Sequence, residues 1–476
     1  MVDFALRIEV NLIKHSNKAL LAIAKYVLND DICFLLDSVI NESFKSNYQS
    51  WYLLYAIQLK SEQTMKHHFS FSIFLLLLIF AQTGNSQNIS QWRGTNRDGI
   101  YPDQNLLKAW PEGGPKLLWL TEEIGNGYSS PVIANGKLYI NGEIDSISHV
   151  FAFDLDGKLL WKTPNGREFF GNGFSSSFPG ARSAPTVYDN LIYVCSGLGL
   201  IACLEVATGK VKWTTDMTKD LGGKINEFGN SESLMVDEKN VYCMPGGTEN
   251  NIVALDRFTG KVVWTSKALG DGVSFCSPMI IKLAELNVLV TVSHEYMMGL
   301  DTKNGELLWS QKEDSVKLEG DYCNTPIYAD GFIYEISGVE KGSGAFKLEL
   351  SPDGKSIKTI WKNDKVKNPM GGFVKFGDRI YTTSDDKKLK VLDTKTGQVI
   401  ETLSGIKGSL IAADNMLFCY ADNGYVNLIK GIGSKLEVVS KFKIEKGTKE
   451  HFSHPVIANG ILYIRHGNAL MAYQIK

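Results

Sequence analysis

The sequence predicts an all-β protein, an eight-bladed β-propeller built from four-stranded antiparallel blades. Three observations lead to this prediction. A hairpin pattern that ends on Trp recurs along the chain, a second strand pattern that contains Pro precedes most copies, and turn residues are abundant, with 45 Gly among 476 residues. Repeats of about 40–50 residues with four strands each are typical of propeller blades.

The clearest hairpin spans residues 250–264 and reads NNIVALDRFTGKVVW. Its first apolar residues alternate as they do on the two faces of a strand. Asp256 can accept hydrogen bonds from the backbone N–H groups that follow it, and Gly260 supplies the positive φ that closes the turn. A second strand then ends on Trp264. Because an isolated hairpin is marginally stable in water, this one needs neighbours of its own kind.

Copies of the hairpin set the blade count. From Trp161, the repeat Trp follows at steps of 52, 51, 45 and 52 residues. The innermost strands are predicted to begin near Ser129, Ser183, Ser231, Ser277, Thr325, Gly371, Ser409 and Ser453. These starts give eight blades. Seven blades are the alternative if a weak copy, at 368–403 or 408–444, is not a blade.

The chain ends are predicted to close the ring. The last copy begins too close to Lys476 to hold four strands of the usual length. Residues 116–119 read as an unaccompanied strand that ends on the repeat residue Trp119. We therefore predict that this N-terminal strand completes the last blade, which also protects edge strands that would otherwise pair with other chains.

Residues 1–64 lack the repeat and are interpreted as a mispredicted extension, with a genuine N-terminal tail as the alternative. Met65 opens a pattern typical of a secretion signal, with a short basic start and an apolar run from Phe71 to Ala81. Small residues then favour cleavage before Gln87. The predicted organisation is therefore an extension at 1–64, a signal peptide at 65–86 and a propeller at 87–476.

Composition excludes several function classes. The net charge is −2 and the estimated pI is 6.5, which argues against a nucleic-acid partner because such partners select a basic surface. The chain contains neither a nucleotide-binding P-loop motif nor a Gly-x-Ser-x-Gly nucleophile elbow. The six Cys after Met65 are interpreted as free buried residues, with a Cys195–Cys203 disulfide as the alternative.

The repeat Ala-x-Asp-x-x-Thr-Gly-x-x-x-Trp resembles that of the pyrroloquinoline-quinone (PQQ) propellers. This family includes quinoprotein alcohol dehydrogenases and the periplasmic assembly factor of outer-membrane β-barrel proteins. The resemblance covers roughly residues 90–476, and QWRGTNRDG at 91–99 is similar to the opening of bacterial PQQ-like repeat proteins. In such propellers the repeat Trp docks between blades, which implies a structural role for Trp119, Trp161, Trp213, Trp264, Trp309 and Trp361.

The resemblance also implies a site, because ligands of these propellers bind at one end of the central channel, near the starts of the inner strands. Polar residues at these starts form what we call the collar: Arg182, Glu232, Asp321, Asn324 and His454. Tyr128 lies at another start, and it is a candidate ligand-binding residue together with Arg182, Glu232, Asn324 and His454. A solvated rim with satisfied hydrogen bonds is the alternative interpretation.

Quinoprotein dehydrogenases bind PQQ against a disulfide between adjacent Cys residues and hold calcium with Glu and Asn. By this resemblance Glu232 and Asn324 are the candidate calcium ligands, and Asp321 is the candidate catalytic base. No two Cys are adjacent here, and no Cys-x-x-Cys-His haem motif is present. No cofactor is therefore predicted with certainty, and PQQ with calcium belongs to the enzyme alternative.

Two functions follow from the sequence, and whether the chain is an enzyme stays open. The favoured hypothesis is an exported, monomeric binding or scaffold module, periplasmic or secreted, with a protein, peptide or glycan partner on a propeller face. The alternative is a PQQ- and calcium-dependent dehydrogenase that oxidises an alcohol or sugar. No transmembrane anchor is expected, and no Cys follows the signal, unlike the lipid-anchored assembly factor.

Overall fold

A computed structural model of the chain describes residues 89–312, 323–338 and 343–476. These residues fold into eight four-stranded antiparallel blades of a β-propeller, which confirms the predicted fold class and blade number. The predicted extension at 1–64 and signal at 65–86 lie outside the described residues. Within the described ranges, no helix has the length and apolar character needed to span a membrane.

Three strands precede the first complete blade: β1 (Ile89–Ser90), β2 (Ile100–Tyr101) and β3 (Lys116–Thr121). Blade 1 contains β4 (Val132–Ala134), β5 (Lys137–Ile144), β6 (Ile147–Asp154) and β7 (Leu159–Arg167). A short 3-10 helix, Gly173–Ser177, leads on to blade 2. Blade 2 contains β8 (Thr186–Tyr188), β9 (Leu191–Cys195), β10 (Leu200–Glu205) and β11 (Val211–Asp216). Blade 3 contains β12 (Met235–Val236), β13 (Asn240–Cys243), β14 (Ile252–Asp256) and β15 (Val262–Ser266).

The second half of the ring repeats this order. Blade 4 contains β16 (Met279–Lys282), β17 (Asn287–Val292), β18 (Tyr296–Asp301) and β19 (Leu307–Lys312). Blade 5 contains β20 (Ile327–Ala329), β21 (Phe332–Ile336), β22 (Ala345–Leu350) and β23 (Ile357–Asn363). Blade 6 contains β24 (Phe373–Phe376), β25 (Arg379–Ser384), β26 (Lys388–Asp393) and β27 (Val399–Ser404). Blade 7 contains β28 (Gly408–Ala413), β29 (Met416–Ala421), β30 (Tyr425–Lys430) and β31 (Glu437–Lys443), and blade 8 begins with β32 (Val456–Ala458), β33 (Ile461–His466) and β34 (Ala469–Gln474).

The N-terminal strand β3 is the fourth strand of blade 8, as predicted. It pairs antiparallel with β34, from Lys116 opposite Gln474 to Thr121 opposite Leu470. A strand from before the first blade and the last three strands of the chain therefore share one sheet. This pairing holds the ring shut.

Repeat residues of neighbouring blades contact one another across six of the eight blade interfaces. The indole N–H of Trp213 donates to the carbonyl of Arg257 in the next blade at 3.0 Å. Trp119, Trp161, Trp264, Trp309 and Trp361 donate in the same way to the turn of the following blade. A Cβ on Gly260 would lie 2.5 Å from the Trp213 ring, so the turn Gly of one blade makes room for the Trp of the blade before it.

Apolar side chains fill the interfaces between adjacent blades. One cluster joins Tyr193 and Cys203 of blade 2 to Val253 and Leu255 of blade 3, and all four are buried. Similar clusters lie between the other blades, because alternate residues of each strand face opposite neighbours. The core is thus a ring of interfaces, which leaves the inner strands to line the central channel.

Candidate functional site

The centre of the ring is occupied by the segment between β1 and β2. β1 pairs with β8, the inner strand of blade 2, and β2 pairs with β28, the inner strand of blade 7. We call the turn between them, residues 91–99, the channel loop. Backbone hydrogen bonds close it, from the amide of Gly94 to Gln91 and from the amide of Gly99 to Arg93. Two blades thereby gain a fifth, innermost strand.

Arg97 joins the channel loop to blade 3. It is buried, and its guanidinium donates to the carbonyl oxygens of Ser233 and Leu234 at 2.8 and 2.7 Å. Its Nε donates to the side chain of Gln91 at 2.8 Å. Burial lowers the pKa of Arg97 to about 10, and the nearby Glu232 carboxylate acts in the opposite direction. Arg97 therefore keeps its charge at neutral pH, held by carbonyl dipoles and one carboxylate.

Arg93 joins the same loop to blades 6, 7 and 8. It donates to the carbonyl oxygens of Phe373 and Leu410 at 2.6 and 3.0 Å. Its Nη1 also lies 2.9 Å from Nδ1 of His454, which must accept because a guanidinium only donates. Burial, with the Arg93 charge as a second cause, holds the pKa of His454 well below its usual range. His454 is thus a neutral acceptor packed edge-on against Trp92, with ring centroids 5.1 Å apart.

We call the end of the channel at which the inner strands begin its mouth. Tyr128 and Arg182 lie together there. The Arg182 guanidinium carbon is 5.5 Å from the centre of the Tyr128 ring. The Tyr128 hydroxyl donates to the Glu450 carboxylate at 2.6 Å, and Arg182 donates to the carbonyl oxygens of Phe178 and Gly180. Burial raises the pKa of the Tyr128 hydroxyl, followed by the hydrogen bond to Glu450. This pair therefore braces two loops that meet at the mouth.

Two buried carboxylates face the interior of the ring. Glu232 accepts a hydrogen bond from the amide of Met244 at 3.1 Å, and Glu168 accepts one from the amide of Gly197 at 3.0 Å. The second oxygen of each carboxylate has no hydrogen-bond partner among the described residues. Burial raises both pKa values to about 7, although Arg97 opposes the shift at Glu232. Both groups can therefore exchange a proton near neutral pH.

Asn324 holds blade 5 against blade 6. Its amide nitrogen donates to the carbonyl oxygens of Ile336 and Asn368, each at 2.8 Å. Its amide oxygen accepts from the amide of Gly372 at 2.9 Å. The side chain is buried, and these bonds engage both ends of its amide. Asp321, the predicted catalytic base, lies outside the described residues.

Aromatic rings form a continuous ridge across the collar side of the channel. Neighbouring rings in this aromatic ridge lie 5.2 to 6.4 Å apart between Tyr128, Phe174, Phe178, Phe228, Phe275 and Phe452. Phe174, on the 3-10 helix after blade 1, is 74% exposed, and the nearby Phe170 is 44% exposed. The channel mouth thus presents apolar rings to solvent.

The predicted site residues therefore do not form one cluster in the described structure. Tyr128 and Arg182 are in contact, whereas Glu232, Asn324 and His454 each belong to a separate set of contacts around the ring. Arg93 and Arg97 were not predicted as site residues, although both stand in the QWRGTNRDG motif. Glu168 was not predicted either, because its burial depends on packing between blades and leaves no sequence signal.

The part of the chain that the structure describes contains neither a disulfide nor a cluster of metal-ligating side chains. No disulfide joins any of the six Cys in these ranges, and Cys203 lies opposite Tyr193 rather than Cys195. No three His, Cys, Asp or Glu side chains in these ranges are grouped as metal ligands would be. His451 and His454 in particular contact different partners, Tyr420 and Arg93.

The repeats of this chain match a known protein family. The family model described as "Outer membrane protein assembly factor BamB" matches residues 146–403, more than half of the chain. The chain belongs to this family. BamB from Kangiella koreensis is 27% identical over 203 residues, which cover 42% of this chain and 46% of that protein. The match thus spans about half the length of that BamB relative.

Solved structures share the propeller of the BamB family. BamB from Moraxella catarrhalis superposes with a TM-score of 0.52 at 13% identity, covering 75% of this chain and 98% of that one. A quinohemoprotein alcohol dehydrogenase from Comamonas testosteroni gives a TM-score of 0.56 at 13% identity, covering 83% and 82%. At such low identity these likenesses show the fold alone, because one fold hosts both enzymes and scaffolds.

Proposed function

We propose that this BamB-family chain is a protein-binding scaffold that acts in outer membrane protein assembly. One observation carries the proposal: the channel loop hydrogen-bonds to the inner strands, so the chain itself packs the centre of the ring. Arg93 and Arg97 donate there to backbone carbonyl oxygens of three blades, and Arg93 also donates to the His454 ring of a fourth. Likeness to relatives named as outer membrane protein assembly factors supports the same function.

The collar side is the proposed face for the protein partner. Exposed apolar groups that lie close together on a soluble domain mark interaction surfaces. Phe174 and Phe170 are exposed beside the rest of the aromatic ridge. A peptide or glycan partner would use the same face, since the ridge offers rings for stacking.

Retention of envelope proteins by variants of residues 87–476 tests this proposal. We expect Phe174→Ser to reduce the recovery of β-barrel assembly proteins from a detergent-solubilised envelope about tenfold, because it removes an exposed contact ring. The matched control is Phe258→Ser, which removes a ring that is 52% exposed in a turn at the opposite end of the blades. Equal recovery with both variants, or none with the unaltered chain, would contradict the proposal.

The residues that a quinoprotein site would use make other contacts in this structure. A calcium ligand role for Asn324 would require its amide oxygen, which already accepts from Gly372. Glu232 lies beside the Arg97 charge, which opposes a neighbouring cation. These contacts do not fit a calcium–quinone site. Calorimetric titration of residues 87–476 with PQQ, with and without calcium, tests the alternative, and micromolar calcium-dependent binding would revive it.

Export is part of the proposed function. The signal at 65–86 would deliver a mature propeller that begins at Gln87, in the periplasm or outside the cell and as a monomer. Residues 1–64 would then be absent from the cell. N-terminal sequencing and light scattering of the protein from its native envelope test these points, and a chain that begins upstream of Met65 would contradict them.

A further inference from the structure

A stacked pair of histidines stands beside the collar. His466 is the last residue of β33, and His451 lies in the segment 444–452, which we call the entry loop because it leads from blade 7 into blade 8. Their ring centroids are 3.8 Å apart and their planes differ by 20°. Nδ1 of His451 lies 2.6 Å from the Tyr420 hydroxyl.

Both ring nitrogens of His466 face backbone carbonyl oxygens of the entry loop. Nδ1 lies 2.6 Å from the oxygen of Lys446, and Nε2 lies 2.8 Å from the oxygen of Lys449. A carbonyl oxygen can only accept, so each contact requires a hydrogen on the nitrogen. Neutral imidazole carries one such hydrogen and imidazolium carries two. The two contacts together are therefore those of the protonated ring.

The entry loop, whose carbonyl oxygens contact His466, also carries residues that lie at the channel mouth. Within the entry loop, Lys449 has a φ of 67°, a conformation that needs support from its surroundings. The next residue, Glu450, accepts the hydrogen bond from Tyr128. Phe452, at the end of the loop, packs against the rings of Tyr128 and Phe178 at 5.7 and 6.4 Å. Contacts that hold the entry loop in place therefore also hold Glu450 and Phe452 at the channel mouth.

We propose that protonated His466 is a clasp that fastens the entry loop to β33 and opens when the ring loses a proton. Loss of that proton turns one ring nitrogen into an acceptor that faces a carbonyl oxygen at less than 3 Å. Two acceptors at this distance repel each other, so the loop must move. Release of the loop would free Glu450 from Tyr128 and shift Phe452 in the aromatic ridge.

The surroundings allow one cation in the pair. Burial, with the His466 charge as the second cause, lowers the pKa of His451 to about 4, so His451 stays neutral while the clasp is closed. Below that pH both rings would be cationic and would repel each other across 3.8 Å. The other titratable or charged groups around the pair are Tyr420, Asp422, Lys443 and Glu450.

Trypsin provides a direct test, because it cleaves after Lys446 and Lys449, whose carbonyls are the two that His466 holds. Residues 87–476 are digested between about pH 6 and about pH 9, and cleavage at these sites is divided by cleavage at Lys355 in an exposed turn. We expect this ratio to rise about tenfold with pH as the clasp opens. An unchanged ratio would overturn the proposal.

Two variants and a spectrum separate the clasp from a merely structural His. His466→Arg supplies permanent donors and should keep the ratio low at every pH, whereas His466→Phe keeps a ring without donors and should keep it high. Ring ¹⁵N shifts of the unaltered protein should show both His466 nitrogens protonated at the pH values where the loop resists trypsin. A neutral ring at those pH values would refute the clasp, whatever the variants do.

Discussion

Single buried charges define the centre of this molecule. Arg93 and Arg97 are buried and donate to backbone carbonyl oxygens. The carboxylates of Glu168 and Glu232 are buried with one oxygen unpartnered among the described residues. Burial is the largest cause of the pKa shift of all four groups, downward for the bases and upward for the acids. At residue scale, stability should therefore depend on pH.

Glu232→Gln should remove part of that pH dependence. Because the folded state raises the pKa of Glu232 from 4.5 to about 7, it binds the proton more tightly than the unfolded chain does. The free energy of unfolding should then fall as pH rises from 4.5 to 7, by up to about 3 kcal/mol for this group. The variant should not show this share of the fall, as measured by urea unfolding at a series of pH values.

Glu112→Gln, which changes an exposed carboxylate, is the control and should follow the unaltered protein. Glu168→Gln should behave like Glu232→Gln, because burial raises its pKa to the same value. Identical pH profiles for the Glu232 variant and the Glu112 control would show that Glu232 does not titrate over this range.

The hairpin element explains why the repeat contains its particular residues. The small residue of the motif lies directly opposite the Trp, as Ala254 does opposite Trp264. The Asp256 carboxylate accepts hydrogen bonds from the backbone amides of Phe258 and Thr259 and so closes the turn. The Gly then packs on the Trp of the preceding blade. One motif therefore builds the hairpin and the interface together.

Gly260→Ala should lower the free energy of unfolding by more than the strain of a positive φ alone would. Gly260 has a φ of 71°, and a Cβ there would lie 2.5 Å from the Trp213 ring. Gly331 has a φ of 83° with nothing within 4 Å of such a Cβ, so Gly331→Ala reports the backbone strain alone. We expect losses of about 1–2 kcal/mol for Gly331→Ala and about 2–5 kcal/mol for Gly260→Ala by denaturant unfolding. Equal losses would mean that the Trp ring gives way.

The whole ring is held by two devices that use the N-terminal part of the chain. β3 completes blade 8 at the outer edge, and the channel loop binds inner strands at the centre. Contacts of the channel loop and its flanking strands reach five of the eight blades, through Arg93, Arg97, β1 and β2. The packed centre of the ring is thus a property of the whole molecule rather than of any one blade.

Arg97→Met should therefore loosen the molecule as a whole. The change removes three hydrogen bonds and leaves two buried carbonyl oxygens with fewer donors. We expect a loss of about 3–5 kcal/mol in the free energy of unfolding. Arg167→Met, at an exposed position in β7, is the matched control with an expected change within about 0.5 kcal/mol. Unfolding followed by intrinsic fluorescence measures both, and similar values would show that the loop does not brace the ring.

The sequence by itself determined the repeat, the closing strand and the family resemblance, and it predicted eight blades with seven as the alternative, which the structure decided in favour of eight. These features are local or periodic: a turn needs Asp and Gly at set positions, and a strand shows alternation wherever it lies in the fold. The same periodicity located the starts of the inner strands, where Tyr128, Arg182, Glu232, Asn324 and His454 stand, and the family resemblance made these residues site candidates.

Only the tertiary structure decided what those side chains contact. Arg93 meets His454 across 361 positions of sequence, and Arg97 meets Ser233 across 136. Such pairings depend on how eight blades close around one loop, and no local pattern encodes a contact between distant segments. The QWRGTNRDG motif was therefore visible as a family mark, whereas its place in the channel required the closed ring.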